Sequence, residues 1–212
     1  MLFRSDSETT YSLGLNLGYA VNRFPSSQEW VPSVLETGVR RVQFVADLLN
    51  PSLGEKYCET KIQEMFELCA THNITIEGAF TGAYTRVNHF GSSDPQIRAF
   101  WEEWFVAYAK QMSPFGIEYL GGHPGILSIR DDADFKTREH FRKNIVESWI
   151  RVLERTEKYG IKYIAWEPMS IRREIGHTLE DALSFQELMD SMAPGKFKIC
   201  LDLDHGDIAS SN

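Results

Sequence analysis

A chain of 212 residues, 42% hydrophobic and 25% charged, has the balance of a globular domain, and no apolar run approaches the roughly 18–20 residues of a bilayer span. Its formal charge of −8 speaks against a nucleic-acid groove, which needs a basic patch, but not against a small phosphorylated ligand held by a few arginines. Cys58, Cys69 and Cys200 form neither metal-ligand spacing nor an even disulfide framework. Cys69, on a helix pattern, and Cys200, in an apolar run, are expected to be buried small hydrophobes, which fits a reducing cytoplasm.

Residues 1–10 read as a polar tail without the apolar core of a leader peptide, ahead of one domain that takes up the rest of 1–212. Leu13–Gly18 is expected as a first strand, and Ser26–Thr37 as a helix with Ser26 or Ser27 as cap and Gly38 as its stop. Val39–Asp47 is a strand. Glu55–His72 is amphipathic, with Ile62, Met65, Phe66 and Cys69 on one face. Ile74–Phe80 is a strand, and Asp94-Pro95 opens a helix running to Met112, with Asp as cap and Pro in the first turn. Ile117–Gly122 is a strand, Phe135–Tyr159 a helix ended by Gly160, and Ile161–Glu167 a strand. Thr178–Met192 starts on a capping-box pattern, and Phe197–Asp202 is the last strand.

Apolar strands separated by helices imply right-handed βαβ units and an α/β parallel sheet. No glycine-rich dinucleotide fingerprint follows the first strand, which disfavours an open nucleotide-binding sheet. Asn16, Asp47, Thr81, His123, Glu167 and Asp202 each close a strand. Polar ends in that succession fit a ring around one site, a (β/α)8 TIM barrel of which about the first six βα units are present.

Two of these ends carry the chemistry. Tyr163-Ile-Ala-Trp-Glu167 stops at a carboxylate, and Pro168 then forces the chain out of the sheet. A charge there is costly unless it meets a cation or a paired group, so Glu167 is expected to ligate a metal and to act as a base. In Asp202-Leu-Asp204-His205, extended geometry would point both aspartates the same way, with His205 just beyond the strand. Carboxylate and imidazole donors suit Mn²⁺, Mg²⁺, Co²⁺ or Zn²⁺. Asp204 is expected to orient His205 or cap a helix rather than bind metal.

Glu-Pro at one strand end, then Asp-x-x-His at the next, resembles the xylose-isomerase-like TIM-barrel superfamily of sugar and sugar-phosphate isomerases and epimerases, and is similar to its ketose 3-epimerase branch. Residues 14–25, 42–51, 121–125 and 167–174 sharpen the resemblance toward epimerases of the erythrulose-phosphate (tetrulose-phosphate) type. The resemblance implies one divalent ion, manganese favoured, held by a Glu, an Asp, a His and a second Glu. Glu167 matches the first Glu and Asp202 the Asp; the ligand His and second Glu are expected beyond Asn212. His205 matches a substrate-contacting histidine, and Glu174 a second carboxylate near substrate oxygens. The implied chemistry is proton abstraction beside a ketone, giving an enediolate, on a small sugar or sugar phosphate. The implied assembly is a homodimer or homotetramer, with no nucleic-acid or membrane partner. A polypeptide ending at Asn212 is expected to bind metal poorly and to be inactive.

Further substrate contacts are expected from His123 in a glycine-rich turn, from Asn16, and from Asn88 and His89 in the loop after the third strand. Arg172 and Arg173 are expected either to grip a phosphate or to lie solvated beside Glu174. Trp101, Trp104, Phe105 and Tyr108 share helical spacing and are read as packing on the barrel, with a dimer surface as the alternative. His72, His140 and His177 are read as solvent-facing. Other functions compatible with the same residues are an aldose–ketose isomerase of hydroxypyruvate or apiose type, and a non-catalytic sugar-binding barrel or inactive fragment. A related apurinic-site endonuclease would need more zinc ligands and a basic face.

Overall fold

Parallel strands cannot be joined by tight hairpins, so each must be followed by a crossover that returns the chain to the same edge of the sheet. The computed structural model describes residues 11–205 and realises this in strict sequence order. The strands are β1 (Leu15–Asn16), β2 (Arg41–Val45), β3 (Thr75–Phe80), β4 (Tyr119–Gly122), β5 (Tyr163–Trp166) and β6 (Phe197–Ile199). All neighbours are parallel, in the order β1-β2-β3-β4-β5-β6. An order with no reversal has no switch point of the doubly wound kind; it is the winding of a barrel wall.

The covering helices are α1 (Ser27–Glu36), α2 (Glu55–His72), α3 (Pro95–Met112), α4 (Ile129–Ala133), α5 (Phe135–Thr156) and α6 (Leu179–Met192). Their starts follow the cap chemistry in the sequence. The Ser26 amide donates to Glu29 at 3.0 Å, the Gln96 amide to Asp94 at 2.8 Å and the Asp181 amide to Thr178 at 3.1 Å. Helix α4 was not anticipated, although Ser128-Ile-Arg-Asp131 carries the signature; the Ser128 hydroxyl accepts the Asp131 amide at 3.1 Å.

All six strands are shorter than expected, and at β1 and β6 the side chains and turns that end them are visible. Asn16 Oδ1 accepts the Gly18 amide at 2.7 Å, and this Asx turn converts residues 17–20 to a 3₁₀ turn, so β1 stops at Asn16. At the other end, β6 pairs only to Ile199. The Cys200 amide adds one bond to Trp166 O, and residues 203–205 then turn, with the His205 amide on Asp202 O at 3.2 Å. Asp202 and Asp204 therefore do not share an extended strand. Cys200 lies just past the strand and is half-buried, whereas Cys58 and Cys69 are buried.

The core lies between strands and helices, and its largest fully buried members include Trp30, Trp149, Trp166, Tyr108 and Phe105. Trp104 joins them, so most of the aromatic run on α3 packs inward as expected; Trp101 is partly covered and Phe100 exposed. Glycines let β4 pack closely. A Cβ at Gly121 would lie 2.1 Å from the Phe80 ring and 2.6 Å from Ala165 O, and one at Gly122 would lie 1.9 Å from Thr81 Oγ1.

One buried ionic cluster ties the helices to the loop after β5. Asp181 on α6 accepts from Arg138 at 3.0 Å and Arg142 at 3.1 Å, both on α5, and from the Gly176 amide at 2.7 Å. His177 Nδ1 also lies 3.1 Å from Asp181, so this histidine is half-buried and paired rather than free in solvent. Arg138 also pairs with Asp132 on α4 and donates to Arg172 O at 3.0 Å. Burial pushes the Asp181 carboxyl up, but the Gly176 amide, Arg138, His177 and Arg142 outweigh it and hold it below the usual range. Removing one partner of a buried ionic cluster leaves charge uncompensated. Asp181→Ala is expected to lower the unfolding free energy by about 3–5 kcal/mol, read from urea denaturation midpoints; an unchanged midpoint would contradict this role.

Candidate functional site

Residue 167 is the first position after β5, and its amide donates to Gly122 O at 2.9 Å, so the β4–β5 register sets where the carboxylate emerges. The turn after β6 brings Asp202 and His205 to it. His205 Nδ1 lies 3.4 Å from Glu167 Oε1 and 3.7 Å from Asp202 Oδ2. One donor atom from each of Glu167, Asp202 and His205 falls within 4.8 Å of the others. All three side chains are partly exposed and lie at one mouth.

Donor atoms on one ion stand at most about 4.2 Å apart, twice a typical metal–oxygen or metal–nitrogen length. The cluster fits a small divalent cation after side-chain shifts of a few tenths of an ångström. His205 Nδ1 is buried and faces both carboxylates without a hydrogen bond of good geometry among the described residues. Burial raises the Glu167 carboxyl above its usual range; the negative charge of Asp202 adds to this, while His205 and Arg86 act against it. A carboxylate that holds a proton more readily than usual is a stronger base than an ordinary one, which suits it to take up a proton.

Glu174 sits in the loop after β5 and is buried, with its side chain 8% exposed. Its partner, not anticipated from the sequence, is Arg86, from the loop after β3. Arg86 Nη2 donates to Oε2 at 2.6 Å and Nε to Oε1 at 3.3 Å, a two-pronged grip. The backbone beyond Glu174 is unusual. Ile175 is a fully buried β-branched residue at φ 66°, and its carbonyl accepts the Met169 amide at 3.1 Å, folding the loop back on the strand end.

His123 and His89 meet each other rather than an open site. Their rings stack at 4.2 Å between centroids, with the two Nε2 atoms 3.1 Å apart. His89 is fully buried beside Trp101, Phe105 and Trp149, and its Nδ1 accepts the Phe90 amide at 2.8 Å. This places His89 in the aromatic core, shielded from the mouth side by the ring of His123 and with no surface of its own exposed. His123 is 4% exposed, and its Nε2 lies 3.0 Å from Thr85 O. The glycines around it serve tight packing against Phe80 and Thr81.

The remaining expected contacts are engaged locally. Asn16 caps the turn that follows it and bonds Gln43. Arg173 donates to Leu127 O at 3.0 Å, and Arg172 lies 3.5 Å from Asp132 with its side chain largely exposed. Asn88 donates to Ile126 O at 2.8 Å. Asp204's side chain and residues from 206 on lie outside the described residues, as does the polar tail of 1–10.

A family model described as xylose isomerase-like TIM barrel matches residues 32–210. The chain belongs to this family. Within it, the chain is 29% identical over 204 residues to a D-erythrulose 1-phosphate 3-epimerase of Brucella abortus (strain 2308), covering 95% of this chain. It spans 66% of that relative's length. Two solved structures share the fold. One is a Rhodospirillum rubrum protein provisionally assigned as a xylose isomerase, with TM-score 0.83, 20% identity, and coverage of 91% of this chain and 66% of that one. The other is the D-psicose 3-epimerase of Clostridium cellulolyticum H10, with TM-score 0.68, 18% identity, and coverage of 91% and 63%. The six parallel strands described above are thus part of a xylose isomerase-like barrel. Among the described residues no helix is long and apolar enough to cross a membrane.

The buried histidine pair generates a pH prediction. Burial dominates in lowering both rings, His123 to about 4 and His89 well below 6.5. The folded rings bind protons less readily than unfolded ones, so this contribution to stability is present above about pH 6.5 and is lost as the pH falls toward about 4. NMR ring-proton shifts of His89 and His123 should hold their neutral values down to about pH 5; either ring titrating near 6.5 would contradict the burial described here.

Proposed function

We propose that the protein is a divalent-metal-dependent epimerase of a ketose or ketose phosphate. The observation that carries this reading is the convergence of Glu167, Asp202 and His205 on one small volume at the mouth of a xylose isomerase-like barrel. The Brucella relative, named for the 3-epimerisation of D-erythrulose 1-phosphate, supports a short ketose phosphate as substrate.

In this reading Glu167 and Asp202 hold the cation by carboxylate oxygens, with further ligands from segments beyond the described residues. The bound ion would polarise the substrate carbonyl and stabilise the charge that develops on its oxygen. Glu167, its carboxyl raised by burial, takes the proton from the carbon beside the ketone. Inversion requires the proton to return on the opposite face, which one carboxylate cannot reach, so a second acid completes the turnover. His205 contacts a substrate oxygen from its place beside both carboxylates. Glu174, fixed by Arg86 as a pure acceptor, receives substrate hydroxyls. His123 stands behind them as a buried support, its Nε2 on the strand-end loop that carries Arg86.

The test is deuterium incorporation beside the ketone, followed by NMR with the full chain, a manganese salt and a tetrulose phosphate. The wild type is expected to wash in deuterium and form the epimer. Glu167→Gln keeps the shape but loses the base, and is expected to cut turnover by at least about 10²-fold. Retained turnover in that variant would refute the role of Glu167.

A further inference from the structure

The mouth described above is rich in negative charge. Glu167, Asp202 and Glu174 are carboxylates, and a phosphorylated substrate would bring a further charge of about −1.5 to −2. A neutral sugar needs no added cation there, whereas a phosphoryl group does. Arg172 and Arg173, the arginines that the sequence pattern offered for this purpose, are turned to Asp132 and Leu127 O. Arg86 is placed differently. Its Nε and Nη2 face Glu174, its side chain is 39% exposed, and Nη1 makes no hydrogen bond among the described residues. Its charge is also felt at Glu167, where it opposes the upward push of burial and of Asp202.

The backbone that carries Arg86 is fastened on both sides. Thr85 O, immediately before it, lies 3.0 Å from His123 Nε2. Asn88, two residues after it, donates through its side chain to Ile126 O at 2.8 Å and accepts the Ile126 amide on its carbonyl at 3.2 Å. A partly exposed guanidinium held through Nε and Nη2 on a buried carboxylate, with Nη1 making no hydrogen bond among the described residues, is pre-oriented for an anion, because little side-chain freedom is left to lose on binding.

We propose that Arg86 selects a phosphorylated ketose over its unphosphorylated counterpart, binding a phosphoryl oxygen through Nη1 while Nε and Nη2 hold Glu174 in place. The proposal rests on the ketose reading above. It makes Arg86 a specificity-determining residue, distinct from the residues that move the proton.

The experiment compares wild type, Arg86→Gln and Arg86→Lys in the full chain, with a tetrulose phosphate and the matching free tetrulose. Binding of inorganic phosphate is measured in parallel by its shift of Tm and by calorimetry. In Arg86→Gln the ratio of kcat/KM for phosphorylated over free substrate is expected to fall at least about tenfold, the scale of one lost charge-assisted hydrogen bond, with KM carrying most of the change. Arg86→Lys keeps the charge but not the fork, and should lose severalfold. The inorganic phosphate response should be clear in wild type and absent in Arg86→Gln. An equal loss for both substrates would reduce Arg86 to an anchor for Glu174 and overturn the proposal, as would an unchanged ratio. If Arg86→Gln does not fold, an unchanged ratio in Arg86→Lys overturns it and a severalfold fall supports it. If wild type turns over neither sugar, it is the ketose reading that fails, and phosphate binding by wild type against the variants then decides the role of Arg86.

Discussion

The path of the loop that carries Glu174 depends on one buried carboxylate. Asp181 lies on α6, and it gathers Arg138, Arg142, His177 and the Gly176 amide around itself. Arg138 extends the cluster to Asp132 and to the carbonyl of Arg172. The loop from Pro168 to Gly176 is therefore tied to α4, α5 and α6 at once. Desolvating such a group of charges is costly, and the cost is met only if every member is paired. The geometry that satisfies them also fixes the path of the loop, and with it Glu174. The strained backbone at Ile175 fits this view, because an unfavourable φ persists only where surrounding contacts over-determine it.

Against this tied-down loop stands a second one, from β3. Arg86 crosses to Glu174, Asn88 pairs with Ile126, and the Leu127 amide bonds Arg173 O. The loops after β3, β4 and β5 are thus stitched to one another as well as to their own strands. A ring of strand ends places functional groups only approximately; cross-links between successive loops make the placement definite. Glu167 needs no such help, since its position follows from the pairing of β4 with β5 and its amide bond to Gly122 O.

Much of this was legible in the chain itself. The alternation of apolar runs with capped amphipathic stretches gave the order of strands and helices, because both periods and caps are local signals. Glu167, Asp202 and His205 could be nominated together because each follows an apolar run, in two successive βα units. The strand lengths were not legible: Asn16 ends β1 with its own side chain, and the turn at 203–205 begins sooner than apolar pattern alone suggests. Arg86 with Glu174 and His89 with His123 were also out of reach as pairs. Their partners are 88 and 34 residues apart, and nothing local marks one member for the other. The burial of His89 was not legible either: a histidine in a polar loop reads as available, yet its Nδ1 takes the Phe90 amide and its ring packs into the aromatic core.

The tryptophans add an optical consequence. Trp166 immediately precedes Glu167, is fully shielded, and donates its indole N–H to Gln186 at 2.8 Å. Trp149 lies against the His89 ring, with its indole N–H on Pro124 O at 2.9 Å. Both side chains are fully buried. Shielded indoles emit to the blue of exposed ones, so these two are expected to contribute blue-shifted fluorescence, and Trp166, next to Glu167 in the chain, is the one placed to register a change at that strand end.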